Sequence, residues 1–151
     1  MGMPTDIPII DPGIGFPYQS VEEKKGAYDF FRPLLKDAQS REEMEFPAQY
    51  MFKDVPDVVP PEVDPVDWVL EKMNAFNIEQ AITGLSPKGI AAKARYPQRF
   101  HLMGRADPNL GVDGIREMER AKREHDIVAV STFPSGTFPQ VAINDKKMYP
   151  I

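Results

Sequence analysis

The chain contains 151 residues, a length typical of one domain, and 42% of them are hydrophobic, enough for a packed core. It carries 18 Lys and Arg against 23 Asp and Glu, a formal charge of −5, and this acidity argues against a nucleic-acid-binding surface. The absence of Cys excludes disulfides, thiolate metal sites and a cysteine nucleophile. No apolar run approaches the roughly 20 residues of a membrane helix, and no export signal is recognisable. We therefore expect a cytoplasmic globular protein that binds neither nucleic acid nor membrane.

Many of the 16 prolines lie between Pro4 and Pro65. Because proline lacks a backbone N–H and fixes φ, dense proline excludes long helices and central strands. Residues 18–61 are therefore predicted to form a long proline-rich insertion after the first strand, with short helices near Gly26–Leu35 and Ser40–Glu45. An insertion of this length is usually functional or covers another part of the protein. A partly ordered surface loop is the alternative.

The first predicted strand is the apolar run Ile7–Asp11, which a Pro-Gly turn follows. The next element begins at Asp64, which can cap a helix, and Pro65, which suits the first helical position. Apolar residues then recur at helical spacing, and Asn77 can end this helix in the left-handed conformation. Gln80–Gly84 is predicted to be the second strand.

The pattern then repeats. Ser86-Pro87 is a second capped helix start, and Arg99–Ala106 is a predicted strand. Asp107 is expected to begin a turn and cap the next helix, Val112–His125. The apolar run Ile127–Val130 is typical of a strand buried on both faces of a parallel sheet. Residues 62–151 are therefore predicted to be β/α repeats with parallel strands, an α/β fold.

Several stretches in this order carry a resemblance to a known family. They are Ile9–Asp11 in the first strand, Asp64-Pro65 through Ile82, the passage Tyr96-Pro-Gln-Arg-Phe100 through Ala106-Asp-Pro108, and Asn144-Asp145 with Tyr149-Pro150. The chain resembles the N-terminal portion of the amidohydrolase-related family, which includes aminocarboxymuconate-semialdehyde decarboxylase and is built on an eightfold β/α barrel. The resemblance implies that residues 1–151 form a single incomplete domain, the first half of a TIM barrel, because a whole barrel typically needs around 250 residues. The expected partner is the C-terminal half of the barrel or another copy of the chain.

The chain departs from this family at its metal motif, Asp-x-His-x-His. The aligned residues are Asp11, Gly13 and Gly15, and glycine offers no side-chain ligand. A divalent metal such as zinc is typical of the family, but no metal ligand is assigned here and the cofactor stays unknown. His101, in a predicted strand, and His125, at a predicted helix end, are expected to be structural.

Barrel enzymes place their active sites at the carboxyl ends of the strands. Two residues at such positions are candidates for catalysis: Asp11 as a carboxylate ligand or an acid–base group, and Arg105 as a bidentate clamp for a substrate carboxylate. The alternative for Asp11 is to accept N–H groups of its own turn, and the alternative for Arg105 is an ion pair with Asp107. The candidate substrate-binding residues are Phe16, Ser86, Asp107 and Thr132.

The resemblance implies hydrolysis, or non-oxidative decarboxylation, of a small carboxylated substrate. In this family a metal ion activates the attacking water. The alternative is a catalytically inactive homologue or fragment that is retained for binding or assembly, because a fold does not by itself establish a function.

Overall fold

The computed structural model describes residues 6–27, 29–42 and 58–151. The chain divides into two compact units, which we call the sheet unit (Met1–Phe16 and Val66–Ile151) and the proline-rich unit (Pro17–Pro65). Among the described residues no helix has the length and apolar character needed to cross a membrane.

The described part of the proline-rich unit contains an isolated parallel β-bridge between Tyr18 and Val58 and several short helices. The helices are α1 (Val21–Ala27), a 3-10 helix (Asp29–Leu34) and α2 (Ala38–Glu42). The Ser20 hydroxyl accepts the Glu23 N–H at 3.0 Å, which helps to begin α1. Short helices thus occur near both predicted positions, although residues 43–45 of the second prediction lie outside the described residues.

The described residues of the sheet unit form four strands, each paired in parallel with its neighbour in the order β1-β2-β3-β4. The strands are β1 (Ile9–Ile14), β2 (Ile78–Gly84), β3 (Phe100–Ala106) and β4 (Ala129–Thr132). Three helices alternate with them: α3 (Pro65–Ala75), α4 (Pro87–Arg95) and α5 (Val112–His125). The predicted α/β fold with parallel strands is confirmed, and its strand order is that of half a barrel wall.

The helix boundaries follow from local chemistry. Asn77, just beyond α3, has a φ of 56°, the left-handed conformation that was predicted to end this helix. The Ser86 hydroxyl caps α4 by accepting the Gly89 N–H at 3.1 Å. Asp126 ends α5 with a φ of 50°. A hydrogen bond from the Lys122 ammonium holds the pKa of the Asp126 carboxyl below its usual range.

Replacing Ser86 with alanine is expected to lower the free energy of unfolding by about 1 kcal/mol, because the N–H groups that begin α4 lose their acceptor. Urea unfolding of both proteins measures the difference. The control is Ser135→Ala, since Ser135 is exposed and is expected to change stability by less than about 0.5 kcal/mol. Equal effects of the two substitutions would contradict the capping role.

The core lies on one side of the sheet, between the strands and the helices. Its buried residues come from α3, α4, β2 and β3, namely Val66, Val69, Met73, Ala81, Ala92 and Phe100. Because side chains alternate along a strand, the residues beside Ala81 and Phe100 lie on the opposite side. We call that side the open face. Its residues come from all four strands and none is fully buried; they are Ile10, Gln80, Ile82, His101, Met103, Arg105, Ala129 and Ser131.

The two outer strands differ from their predicted limits. β1 continues three residues past Asp11 and includes Pro12, which an edge strand tolerates; its pairing with β2 is irregular between Asp11 and Ile14. β4 begins two residues later than predicted, after the buried Ile127. The expectation that this strand is buried on both faces was wrong, because Val128 and Val130 are substantially exposed at the edge of the sheet.

Candidate functional site

The carboxyl ends of β2, β3 and β4 meet at one edge of the sheet. Arg105 pairs with Ser131, and Ala106 pairs with Thr132. The Leu85 N–H, just past β2, donates to the Met103 carbonyl oxygen at 2.9 Å. This register brings four of the predicted site residues to the same edge, namely Ser86, Arg105, Asp107 and Thr132.

Two of these polar side chains cap short backbone segments. Ser86 caps α4, as described above, and the Asp107 carboxylate accepts the Asn109 N–H at 2.9 Å. Asp107 therefore caps the 3-10 helix Pro108–Leu110. The expectation that it caps α5 was wrong, because Gly111 intervenes, has a φ of 52° and begins α5 without a side-chain cap.

A cavity of about 300 Å³ lies between the end of β3 and α5. We call it the β3–α5 cavity. Its residues from the sheet side are Leu85, Gly104 and Arg105, and those from α5 are Glu117, Met118, Arg120, Ala121, Glu124 and His125. This volume is at the lower end of the range of small-molecule sites, roughly 300–1,000 Å³.

The β3–α5 cavity contains charged residues that sequence reasoning did not select. Arg105 was predicted, but Arg120, with Glu117 and Glu124 on either side of it in sequence, was not. Glu117, Arg120 and Glu124 are separated by three, four and seven residues, a spacing that places side chains on one face of a helix. This spacing is the signal in the sequence by which they could have been selected. Arg120 can contribute a guanidinium group to this cavity, whereas the side chain of Arg105 belongs to the open face, because Arg105 lies two residues beyond Met103 on β3.

Thr132, the last residue of β4, has a buried hydroxyl oxygen. Among the described residues this oxygen has no hydrogen-bond partner. Because a buried hydroxyl without a partner costs free energy, Thr132 is a candidate for hydrogen bonding to a ligand at this edge.

Asp11 lies within β1 rather than at its end. Its carboxylate accepts the Gly13 N–H at 2.9 Å, the local role given above as its alternative. Asp11 pairs with Ala81, which pairs with Phe100, whereas Arg105 is five residues further along β3. At about 3.3 Å per residue this separation is roughly 16 Å along the strands. Asp11 and Arg105 therefore do not form a catalytic pair.

Phe16 also lies away from the carboxyl edge. Its ring centroid is 6.0 Å from that of Phe100, the first residue of β3, and Phe16 packs against the core. Arg105 lies near the opposite end of the same strand. The structure gives Phe16 a packing role and does not bring it to the other candidates.

The described residues do not fit the metal site of the family. They contain no group of three His, Asp or Glu side chains arranged to hold an ion. Gly13 and Gly15 stand where the family motif has its two histidines, and a Cβ atom at either glycine would meet open space. No neighbouring side chain of the described residues therefore takes the place of the histidines. His101 is hydrogen-bonded through Nε2 to Oε1 of Gln80 at 2.8 Å, and His125 lies at the far end of α5.

The segment after β4 contacts the loop at this edge. The Asn109 amide donates to the Pro139 carbonyl oxygen at 2.8 Å, and the Lys147 ammonium donates to the Asn109 side chain at 3.0 Å. The buried Thr137 hydroxyl is within 2.8 Å of the Pro134 carbonyl oxygen. The two hydrogen bonds of Asn109 connect the loop that follows β3, next to Arg105, to the segment that follows β4.

Comparisons with protein-family models, curated proteins and solved structures find no match to this chain. Any proposed function must therefore be argued from the sheet and from the residues at its carboxyl edge.

Proposed function

We propose that this chain is half of the wall of an amidohydrolase-related β/α barrel that hydrolyses or decarboxylates a small carboxylated substrate. The sequential order of four parallel strands supports the architecture. The observation that carries the proposed substrate class is Arg105, an exposed residue of the open face near the carboxyl end of β3. Barrel enzymes bind their substrates at this end.

In this proposal Arg105 binds the substrate carboxylate. A guanidinium group can donate two parallel hydrogen bonds to a carboxylate, which fixes both its position and its plane.

The carboxylate site can be tested by titration calorimetry with benzoate and with its neutral analogue, benzamide. Arg105→Ala is expected to weaken benzoate binding by about tenfold or more, because hydrogen bonds to charged groups contribute roughly 1.5–3 kcal/mol. Benzamide binding is expected to change little. The control is Arg116→Ala on α5, whose guanidinium pairs with Asp113 and does not border the cavity. Equal affinity for the two probes, or an equal loss in the control, would refute the clamp.

A second candidate function is binding or assembly without catalysis. The observation that favours it is that Asp11, Ser86 and Asp107 each accept a backbone N–H within their own turn. Release of carbon dioxide from 2-hydroxybenzoate and hydrolysis of benzoylglycine separate the two candidates. Turnover that Arg105→Ala abolishes supports the enzyme, whereas benzoate binding without turnover of either probe supports the non-catalytic role.

A further inference from the structure

The sheet has two edges within the described residues. β1 pairs only with β2, and β4 pairs only with β3. An edge strand presents backbone N–H and C=O groups that can pair with a strand of another chain. All four strands point in the same direction. A partner for both edges must therefore offer parallel strands at each of its own edges.

The β4 edge carries an apolar groove, which α5 and the residues leading into β4 form. It encloses about 660 Å³, and its residues are Met118, Glu119, Lys122, Ile127, Val128, Ala129 and Val130. Val128 is 52% exposed. In a β/α barrel the next strand and helix cover this position.

The β1 edge is also apolar and accessible. Ile10 is 60% exposed and Ile7 is similarly exposed. Ile10 pairs with Gln80 and so belongs to the open face. Both edges thus combine unpaired backbone with exposed aliphatic side chains.

We propose that a second copy of this chain covers both edges. The part of β1 before Pro12, which has no backbone N–H, pairs in parallel with β4 of the other copy. A twofold axis along the axis of the closed barrel, to which the strands are tilted, keeps all eight strands parallel to their neighbours and satisfies both edges at once. The four strands of each copy then give eight, the number whose closed barrel has an interior that side chains just fill. The open faces of the two copies become that interior. A second copy fits because the chain itself presents both of the edges that closure requires.

The register of the two copies follows from the pairing within one copy. Ile10 pairs with Gln80, and because Ala81 pairs with Phe100, Gln80 is level with Arg99, which immediately precedes β3. Arg99 is four residues before Met103, and Met103 pairs with Ala129 of β4. A closed β/α barrel is staggered by about eight residues around its circumference, hence by about four for each copy. This stagger places Ile10 beside Ala129 of the partner subunit, both on the open face.

Cysteine cross-linking tests this arrangement directly, because the chain has no cysteine of its own. We expect Ile10→Cys mixed with Ala129→Cys to form a disulfide-linked dimer on mild oxidation, and each variant alone to stay uncross-linked. A cross-link in either variant alone would show like edges paired and would overturn the proposal. Sedimentation that finds only monomers, or a different polypeptide in the purified protein, would overturn it too.

A surface substitution gives an independent measurement that does not depend on oxidation. Val128→Lys is expected to weaken dimer formation by about tenfold or more, because it places a charge in the apolar groove. The control is Val112→Lys, which adds the same charge at an exposed valine outside the groove. Circular dichroism checks that both variants fold. If Val128→Lys unfolds, the cross-linking experiment alone tests the proposed dimer. Equal dimer dissociation by both lysine variants, or none by either, contradicts the proposed interface. Benzoate affinity is measured separately, so the proposed substrate class can fail without this assembly failing.

Discussion

Replacing Phe100 with alanine is expected to lower the free energy of unfolding of the sheet unit by about 3–5 kcal/mol. Phe100 is fully buried, and its ring lies 6.0 Å from that of Phe16 and 6.4 Å from that of Tyr96, measured between centroids. Alanine leaves a cavity where β3, α3 and α4 meet. Urea unfolding followed by circular dichroism measures the loss.

The matched control for this substitution is Phe76→Ala. Phe76 lies just beyond α3 and is about half exposed, so its truncation is expected to cost much less than that of Phe100. Phe100→Leu retains most of the volume and is expected to fall between the two alanine variants. Similar losses at positions 76 and 100 would show that the core does not centre on Phe100.

The second large effect is expected at Gly89, in the first turn of α4. A Cβ atom there would overlap the carbonyl oxygen of Gly84, and it would also press on the side chains of Thr83 and Leu102. Gly89→Ala is therefore expected to destabilise the protein by about 1–3 kcal/mol through overpacking. This loss outweighs the gain in helix propensity of up to about 1 kcal/mol.

Gly26→Ala provides the control for Gly89, because Gly26 also lies in a helix and a Cβ atom there meets nothing. The same chemical change is expected to be neutral or stabilising at Gly26. Thermal unfolding of both variants distinguishes steric overlap from propensity. A stabilised Gly89→Ala protein would mean that α4 does not approach β2 as closely as the structure shows.

The helices of the sheet unit could be predicted well because their ends carry strong local signals. Pro65 begins α3, Ser86 caps α4, and Val112–His125 matches α5 at both limits. The strands were less certain at the sheet edges. Pro12 and Gly13 read as a turn in sequence, yet pairing with β2 extends β1 through both of them, and only the tertiary partner decides this.

The candidate site could be predicted in part. The alternation of strands and helices was sufficient to bring Ser86, Arg105, Asp107 and Thr132 to one edge. It was not sufficient to place Asp11, because the level of a residue within a sheet depends on register, which the sequence of a single strand does not contain. Arg120 was missed because its role depends on which face of α5 turns toward β3.

The strand pairs differ widely in the length of chain between them. Ala81 pairs with Phe100 and Met103 with Ala129, separations of 19 and 26 residues, whereas Ile10 pairs with Gln80 across 70 residues. Closing a longer loop costs more entropy before any contact forms, so we expect β2, β3 and β4 to assemble first and β1 to dock last. We expect β1 also to be the first strand to detach, so that its amide hydrogens exchange with solvent sooner than those of β3.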